Sequence, residues 1–346
     1  MRNEYLAWMA SATISKWNND SAQFSEIKKA IDEGAVGVTT NPPLTYQLLT
    51  TDPQRFESEL KAIDPEVKGD DRVVELIKMV IKKIAEEFKP LFESSEGEYG
   101  YVRAQVKPRD GKDKEAMLVM GKAFASVAKN IKVKIPGTAA GVWVLEELAS
   151  LGIPTNPTVC VSISQILATA EANERGIKRA IAAGIKPAPS TAAIVMGRLQ
   201  DYLALQNEKL GAGLSITDLE NACLATVKRC YSIMKDRGYS QILMPAAFRC
   251  ARQVSELAGA KVEMTIHPAI QKMIIESYER GDIAKVEKIH APVDAESVER
   301  VLRAIPEFKK AYEPDGLAID EFDDFGATIM TLEGFDKTGW QKLLTL

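Results

Sequence analysis

Short apolar segments that alternate with longer helical patterns most strongly constrain the fold of this chain. We predict strands at residues 5–11, 35–39, 101–106, 131–135, 157–161, 185–189, 241–244 and 261–266. Helical spacing lies between them, as in the apolar stripe from Val74 to Phe88. This alternation is typical of βα units and a parallel sheet. Because closure buries every parallel strand and removes both sheet edges, eight strands predict an α/β fold, the (β/α)8 or TIM barrel.

Two stretches of the chain are additional to the eight strand–helix units that a minimal barrel needs. The 346 residues suit one barrel with insertions. We predict a barrel over residues 1–305, with a helical insertion at 51–99, and a C-terminal extension over 306–346 that packs on the barrel. The extension carries four carboxylates: Asp320, Glu321, Asp323 and Asp324. They lack the glycine and the spacing of an EF-hand loop, so we interpret them as a solvated acidic turn.

Charge and composition exclude several function classes. The net charge of −4 argues against sequence-independent nucleic-acid binding, which needs a clustered positive surface. No apolar run reaches the roughly 18 residues that a membrane span requires, and residues 1–11 do not resemble a secretory signal. The four cysteines form no C-x-x-C pair, which indicates a reduced, cytoplasmic protein.

Cofactor and metal chemistry find no support in the sequence. The two histidines, His267 and His290, follow no ligand spacing, so a histidine metal site or a Ser-His-Asp triad is not expected. No G-x-G-x-x-G motif follows a strand, and no P-loop motif is present. We therefore expect a protein without a metal or an organic cofactor.

Lys134 is the most unusual polar residue at the end of a predicted strand. In a barrel the catalytic groups lie at the carboxyl ends of the strands. Lys134 stands between Val133 and Ile135 in an apolar strand, where burial disfavours its ammonium form and lowers its pKa. A neutral amine can attack a ketone and form a Schiff base. The alternative is a lysine that extends from the strand end to solvent.

Other polar residues lie in or next to neighbouring predicted strands. These are Asn41, Gln105, Asn156 and Thr158. Taken alone, the asparagines and the threonine are also explained by ordinary turn chemistry.

Several motifs, in one order between about residues 35 and 270, resemble those of the transaldolase family. They are 37–42 (GVTTNP), 133–138 (VKIPGT), 152–158 (GIPTNPT), 196–198 (MGR), 246–249 (AAFR), and 257–259 (LAG) with 264–266 (MTI). The resemblance identifies the chain as a divergent member and implies a class I aldolase-type transferase of carbohydrate metabolism, in the pentose phosphate pathway.

The resemblance also implies a role for each site residue. Lys134 would form an imine with a ketose phosphate, and a three-carbon dihydroxyacetone unit would pass to an aldose phosphate. Asn41 and Asn156 would hold hydroxyls of that unit, and Thr158 would order a water used in proton transfer. Two arginines would clamp the phosphate, since guanidinium donors match its oxygens: Arg198 and Arg249. The partners would be small sugar phosphates and, by analogy, a second copy of the chain.

Three departures from the family pattern stand out. The first-strand aspartate of the family aligns with Ala12, or with Ala10 after a shift of two, while Asp20 is expected to begin the first helix. Gln105 replaces the third-strand glutamate and is similar to the fructose-6-phosphate aldolase branch. Ala247 replaces a phosphate-binding serine.

These departures leave three functional hypotheses. The chain is a transaldolase whose base comes from elsewhere, a relative that acts on a different ketose or keto acid, or a sugar-phosphate-binding pseudoenzyme. In the second hypothesis the proton is taken by water, by the substrate phosphate, or by Ser11 or Thr13 acting through water. General acid–base catalysis contributes about 10²–10⁴-fold, so the loss of the carboxylate would be costly.

Overall fold

The computed structural model describes residues 2–346, and all of the strand pairs in this range are parallel. The strands are β1 (Lys16–Asn19), β2 (Gly37–Thr39), β3 (Tyr101–Gln105), β4 (Ile131–Pro136), β5 (Thr155–Thr158), β6 (Thr191–Ile194), β7 (Ile242–Pro245) and β8 (Glu263–Ile266). A curled six-stranded sheet has the order β5-β4-β3-β2-β1-β8, and β6 and β7 form a two-stranded sheet. The ladders therefore do not run as one continuous eight-stranded sheet.

Helices outnumber the strands in residues 2–346. They are α1 (Glu4–Ala12), α2 (Phe24–Asp32), α3 (Pro42–Thr51), α4 (Glu57–Ala62), α5 (Gly69–Ser94), α6 (Lys114–Ala125), α7 (Ala139–Ser150), α8 (Ile163–Ala182), α9 (Met196–Leu210), α10 (Ile216–Asp236), α11 (Ala251–Ser255), α12 (Pro268–Arg280), α13 (Ala295–Ala304), α14 (Pro306–Tyr312), α15 (Gly326–Phe335) and α16 (Gln341–Leu343). Short 3₁₀ turns span Pro53–Phe56, Pro108–Lys112 and Ile319–Glu321, and a π-helical turn spans Asp336–Trp340. None of the described helices could span a membrane.

The prediction of a strand at residues 5–11 is wrong. This segment lies in α1, whose first turn is capped by Asn3, because the Asn3 Oδ1 accepts the Leu6 N–H at 3.1 Å. The first strand is β1, and it escaped prediction because its buried residues Asn18 and Asn19 are polar.

The strand predicted at residues 185–189 is also wrong. The segment contains Pro187 and Pro189, which cannot donate to a strand ladder, and β6 begins two residues beyond Pro189. The strand predicted at 157–161 is displaced by two to three residues, since β5 ends at Thr158 and Val159 takes a left-handed φ of +60°. The other five predicted strands overlap β2, β3, β4, β7 and β8 and are confirmed.

The sheet has a polar face and an apolar face, and the apolar face packs against helices. In β4, Lys132 and Lys134 alternate with Val133 and Ile135, and all four are buried. A period of two places the lysines on one face of the strand and the aliphatic residues on the other. The aliphatic residues join an apolar cluster that also contains residues of α5.

Three carboxylates of the predicted acidic turn have partners in the structure: Glu321 accepts the Ala318 N–H at 2.8 Å, Asp324 pairs with Lys112 at 3.3 Å, and Asp323 contacts the start of a helix. Asp323 Oδ1 accepts the N–H of Ala139 at 3.1 Å, at the first residue of α7. A carboxylate at this place satisfies a free amide of the helix start and complements the helix dipole. Asp323 is therefore a helix cap rather than a merely solvated residue.

Candidate active site

A cavity of about 330 Å³ lies at the carboxyl ends of the strands. Its walls include six of the seven residues singled out in the sequence: Asn41, Lys134, Asn156, Thr158, Arg198 and Arg249. The seventh, Gln105, does not line the cavity, but it is buried and pairs in register with Lys134. The same strand register pairs Lys134 with Asn156, so three polar side chains follow one another across β3, β4 and β5.

Lys134 is a buried amine with a depressed pKa. Its side chain is held by a hydrogen bond from Nζ to the carbonyl oxygen of Thr40 at 3.0 Å. Burial lowers the pKa of Lys134 to about 8, with a smaller lowering from Arg103, and the negative charge of Asp20 opposes this shift. About a tenth of the amine is therefore neutral at pH 7.

Two buried amide oxygens next to Lys134 have no hydrogen-bond partner among the described residues. These are Oε1 of Gln105 and Oδ1 of Asn156. The amide nitrogen of Asn156 is engaged, because Nδ2 donates to the carbonyl oxygens of Thr191 and Pro157. An unpaired buried acceptor costs about 1–3 kcal/mol, so both oxygens favour a water or a ligand hydroxyl.

Asn41 and Thr158 enter the cavity from strand ends that the local sequence makes rigid. Asn41 is the N-cap of α3, where its Oδ1 accepts the Leu44 N–H at 2.9 Å. Its amide nitrogen is left to face the cavity. Thr158 ends β5, and the positive φ of Val159 turns the chain sharply after it. A left-handed conformation costs a β-branched residue energy, which is common at functional sites.

Asp20 is the functional candidate that the sequence analysis misplaced. It directly follows β1 and lines the cavity, and its backbone N–H donates to Ile266. Thr39 Oγ1 donates to Asp20 Oδ1 at 2.7 Å, and Thr39 in turn contacts the hydroxyl of Thr265. Asp20 therefore lies at a strand end and not at the start of a helix, since α2 begins only at Phe24.

The alignment of Ala12 or Ala10 with the first-strand aspartate is corrected by this position. Both alanines belong to α1, outside the cavity. Ser11 and Thr13 are likewise outside it, and their hydroxyls donate to Ala7 and Met9. The signal that could have identified Asp20 is weak, because a strand of Lys-Trp-Asn-Asn carries no apolar alternation.

Two arginines converge at one end of the cavity. Arg249 Nε donates to Asp201 Oδ1 at 2.9 Å, and its Nη1 donates to the carbonyl oxygen of Ala247 at 2.7 Å. Arg198 lies 3.8 Å from the same aspartate. Burial and the nearby Arg249 charge lower the pKa of Arg198. Two guanidinium groups that share one carboxylate leave a positive charge that favours an anion.

Gly197 permits this convergence. A Cβ at Gly197 would lie 1.8 Å from the carbonyl oxygen of Ala247 and 2.7 Å from Arg249 Nη1. Only glycine lets the start of α9 approach the turn after β7 this closely. The positive end of α9 consequently lies beside the two arginines, in a position that favours an anion.

The cavity lining also includes Phe335, Thr338 and His267, which sequence reasoning did not select. Phe335 lies under Arg198, with 5.6 Å between the guanidinium carbon and the ring centroid. Thr338 comes from the adjoining π-helical turn, and His267 follows β8. The first two belong to a segment remote in sequence, so strand-end spacing could not find them.

Comparison with known proteins points to one family. The family model described as Transaldolase/Fructose-6-phosphate aldolase matches residues 18–322. The protein named Transaldolase of Thiobacillus denitrificans is 29% identical over 208 residues, which cover 59% of this chain and 58% of that protein. Transaldolase 1 of Streptomyces avermitilis is 29% identical over 250 residues, covering 67% and 64%. The match thus spans less than two thirds of the length of either relative.

Proposed function

Because the chain belongs to the transaldolase/fructose-6-phosphate aldolase family, we propose that it transfers a three-carbon dihydroxyacetone unit between sugar phosphates through a Schiff base on Lys134. The single observation that carries this proposal is the buried Lys134 amine, with its pKa of about 8, in one cavity with Asp20. A neutral amine and a carboxylate are the two groups that imine-based C–C cleavage needs.

A closed barrel would hold these groups on one rim. Isolated parallel bridges join Cys160 to Ile194, Thr155 to Ser190 and Leu243 to Val262. They link the two-stranded sheet to both edges of the six-stranded sheet, which supports closure of the eight strands into a (β/α)8 barrel.

The first chemical step is attack of the neutral Lys134 amine on the C2 ketone of a ketose phosphate. Loss of water gives the iminium ion, with a new C=N bond. The bond between C3 and C4 then breaks, and its electron pair moves into the iminium to give an enamine on Lys134. Asp20 takes the proton of the C4 hydroxyl as the leaving aldose forms its carbonyl.

The second half of the reaction runs these steps in reverse with an acceptor sugar. The enamine carbon attacks the aldehyde of an aldose phosphate, and Asp20 returns its proton to the new hydroxyl. Water then hydrolyses the iminium and frees Lys134. Asn41 and Asn156 would hold the hydroxyls of the three-carbon unit, and Thr158 with Gln105 would order the water, for which the unpaired Gln105 Oε1 is a suitable acceptor.

The phosphate would bind at the positive end of the cavity. Arg198, Arg249 and the start of α9 all direct positive charge there. Ala247 supplies no hydroxyl, so the two guanidinium groups would carry most of the phosphate binding.

Borohydride trapping tests the imine directly. The protein is incubated with fructose 6-phosphate, reduced with borohydride, and examined by intact mass and peptide mapping. We expect a reduced three-carbon adduct on Lys134 and none on the Lys134→Met variant. Absence of an adduct on the unmodified protein, or an undiminished adduct on Lys134→Met, would contradict the proposal.

The chain offers a matched control for this experiment. Lys132 lies two residues earlier on β4, is equally buried, and burial also lowers its pKa to about 8, but it lies outside the Lys134 cavity. The Lys132→Met variant should therefore retain the adduct on Lys134. A loss of the adduct in both variants would point to a general effect on folding.

Gln105 favours one second candidate, cleavage of the ketose phosphate without transfer. A glutamine at this position resembles the fructose-6-phosphate aldolase branch of the family. Turnover of fructose 6-phosphate is measured with and without a four-carbon aldose phosphate. Transferase activity requires the acceptor, whereas an aldolase releases free dihydroxyacetone in its absence.

A further inference from the structure

A second cavity, of about 390 Å³, lies at the opposite end of the strands from the candidate active site. Its walls include residues at or near the strand starts: Lys16, Lys132, Thr191, Ile242 and Glu263. This end of a barrel normally serves stability alone. A polar cavity with a buried amine is therefore unusual here.

Among the charged residues that line this cavity, which also include Glu98 and Lys261 at its exposed rim, Lys132 is a buried charge without a polar partner in the part of the chain that the structure describes. Its side chain is only 1% exposed, yet Nζ forms no hydrogen bond or ion pair with any residue in the range 2–346. Its neighbour is the ring of Tyr101, whose centroid lies 4.4 Å from Nζ. A buried ammonium without an acceptor is costly, so the site favours an added acceptor.

The charges around Lys132 do not balance. Arg103 is paired with Glu263 and also donates to Asn18. The buried cluster of Arg103, Lys132 and Glu263 therefore carries one excess positive charge when all three are ionised. Burial lowers the pKa of Lys132 to about 8, so the ammonium form still predominates at neutral pH. One additional negative charge would neutralise the cluster.

Two further groups define what kind of anion fits. Ser190 Oγ accepts hydrogen bonds from Thr155 and Gln241, which leaves its own proton to donate into the cavity. Glu263 Oε2 accepts from Arg103 and Asn18, whereas Oε1 accepts no hydrogen bond from the described residues. Oε1 is therefore suited to accept a hydrogen bond from a ligand hydroxyl.

We propose that this second cavity binds a small hydroxy-carboxylate, with its carboxylate on the Lys132 ammonium and the Ser190 hydroxyl, and a hydroxyl on Glu263. A monoanion matches the single excess charge. A phosphate dianion would bring a second negative charge close to Glu263, which is unfavourable at short range. The site is independent of the chemistry proposed for Lys134.

Calorimetric titration of the full chain at pH 7 tests the site. The probes are glycerate, lactate and gluconate, with inorganic phosphate and glycerol for comparison. We expect at least one hydroxy-carboxylate to bind with a Kd below about 10 mM, about tenfold weaker binding in Lys132→Met, and unchanged binding in Arg249→Ala. Failure of all three acids to bind, equal binding to Lys132→Met, or phosphate binding that is tighter than that of the acids and is weakened by Lys132→Met would overturn the proposal.

A measurement on the unaltered protein removes any dependence on the folding of that variant. Lysines are acylated with acetic anhydride, and the yields at Lys132, Lys134 and Lys209 are read by peptide mass. Binding of the hydroxy-carboxylate should protect Lys132 about fivefold or more, as expected for a probe concentration several times Kd. Labelling of Lys134 and of Lys209, an exposed lysine outside the second cavity, should not change. Equal labelling of Lys132 with and without the probe would refute the site.

Discussion

At the scale of single residues, Lys132 and Lys134 show how the surroundings decide what a side chain can do. Both are buried on β4, and burial lowers the pKa of each to about 8. Lys134 shares its cavity with Asp20, the free amide oxygen of Asn156 and two arginines, whereas Lys132 shares its cavity with Glu263. A lowered pKa alone therefore does not distinguish the proposed nucleophile from its neighbour.

Asp20→Asn is expected to separate imine formation from C–C cleavage. The amide keeps the size and the contact with Thr39 but cannot take a proton, so turnover should fall by about 10²–10⁴-fold. Borohydride trapping on Lys134 should persist, because amine attack does not require the carboxylate. Steady-state kinetics and intact mass measure the two effects.

The same variant has a second readout. The charge of Asp20 raises the pKa of Lys134 against the effect of burial, so its removal should move the pKa of Lys134 lower. The rate of borohydride trapping should therefore level off at a lower pH than in the unaltered protein. Full turnover by Asp20→Asn, together with an unshifted profile, would rule out the proposed role of Asp20.

The pH dependence of kcat/KM should follow the titration of Lys134. Its folded pKa is about 8, so the reactive neutral form increases about tenfold per pH unit below that value and saturates above it. We expect kcat/KM to rise from pH 6 to about pH 8 and then level off. A rate that stays flat across this range, or a rise that continues to pH 10, would indicate an amine with a different pKa.

At the scale of elements, strands were predictable where their outward residues are apolar. β4 alternates Val133 and Ile135 with its lysines, and its end before Gly137 was evident from sequence. Lys134 could be selected because it stands in such a strand. Asn156 and Thr158 lie in β5, which has no apolar alternation and was predicted two to three residues too late.

β1 could not be predicted in this way. Its buried Asn18 accepts a hydrogen bond from Arg103 across the interior, a contact 85 residues apart in sequence. A polar residue that is satisfied by a distant partner leaves no local hydrophobic signal. Because β1 was missed, Asp20 was assigned to a helix, and the site seemed to lack its carboxylate.

The contact between α9 and the turn after β7 should govern preference for phosphorylated ligands. Arg249→Ala removes a charged donor, which is expected to raise KM for a ketose phosphate about 10–100-fold. KM for free dihydroxyacetone as donor should change little. Asp201→Asn is the matched variant, since it keeps Arg249 but removes the carboxylate that orients it, and a smaller effect of the same kind is expected.

Comparison of the ketose phosphate with free dihydroxyacetone decides whether Arg249 binds phosphate or supports the fold. Parallel weakening of phosphorylated and unphosphorylated donors in Arg249→Ala would mean that Arg249 supports the fold and does not bind phosphate. Steady-state kinetics with both donors provide this measurement, and unfolding in urea provides the corresponding stability.

At the scale of the whole molecule, the C-terminal segment connects the cavity to the helices around it. Trp340 is fully buried, and its Nε1 donates to Asp70 Oδ1 at 2.7 Å, near the start of α5. Lys107 binds the same aspartate at 2.6 Å. Asp336 pairs with Arg109 at 2.6 Å, between the cavity residues Phe335 and Thr338. The position of these two residues thus depends on contacts made far from the cavity.

Substitution of Trp340 should reveal this dependence in both stability and substrate binding. Trp340→Ala leaves a large void and is expected to lower the free energy of unfolding by about 3–5 kcal/mol, whereas Trp340→Phe loses mainly the bond to Asp70 and should cost about 1–3 kcal/mol. Trp143→Phe is the control, because Trp143 is 40% exposed and its change should stay within about 0.5 kcal/mol.

Since Phe335 and Thr338 move with Trp340, Trp340→Phe should also raise KM while trapping on Lys134 remains. Urea unfolding and steady-state kinetics test both effects, and a destabilised Trp340→Phe with unchanged KM would show that the segment supports the fold without shaping the cavity.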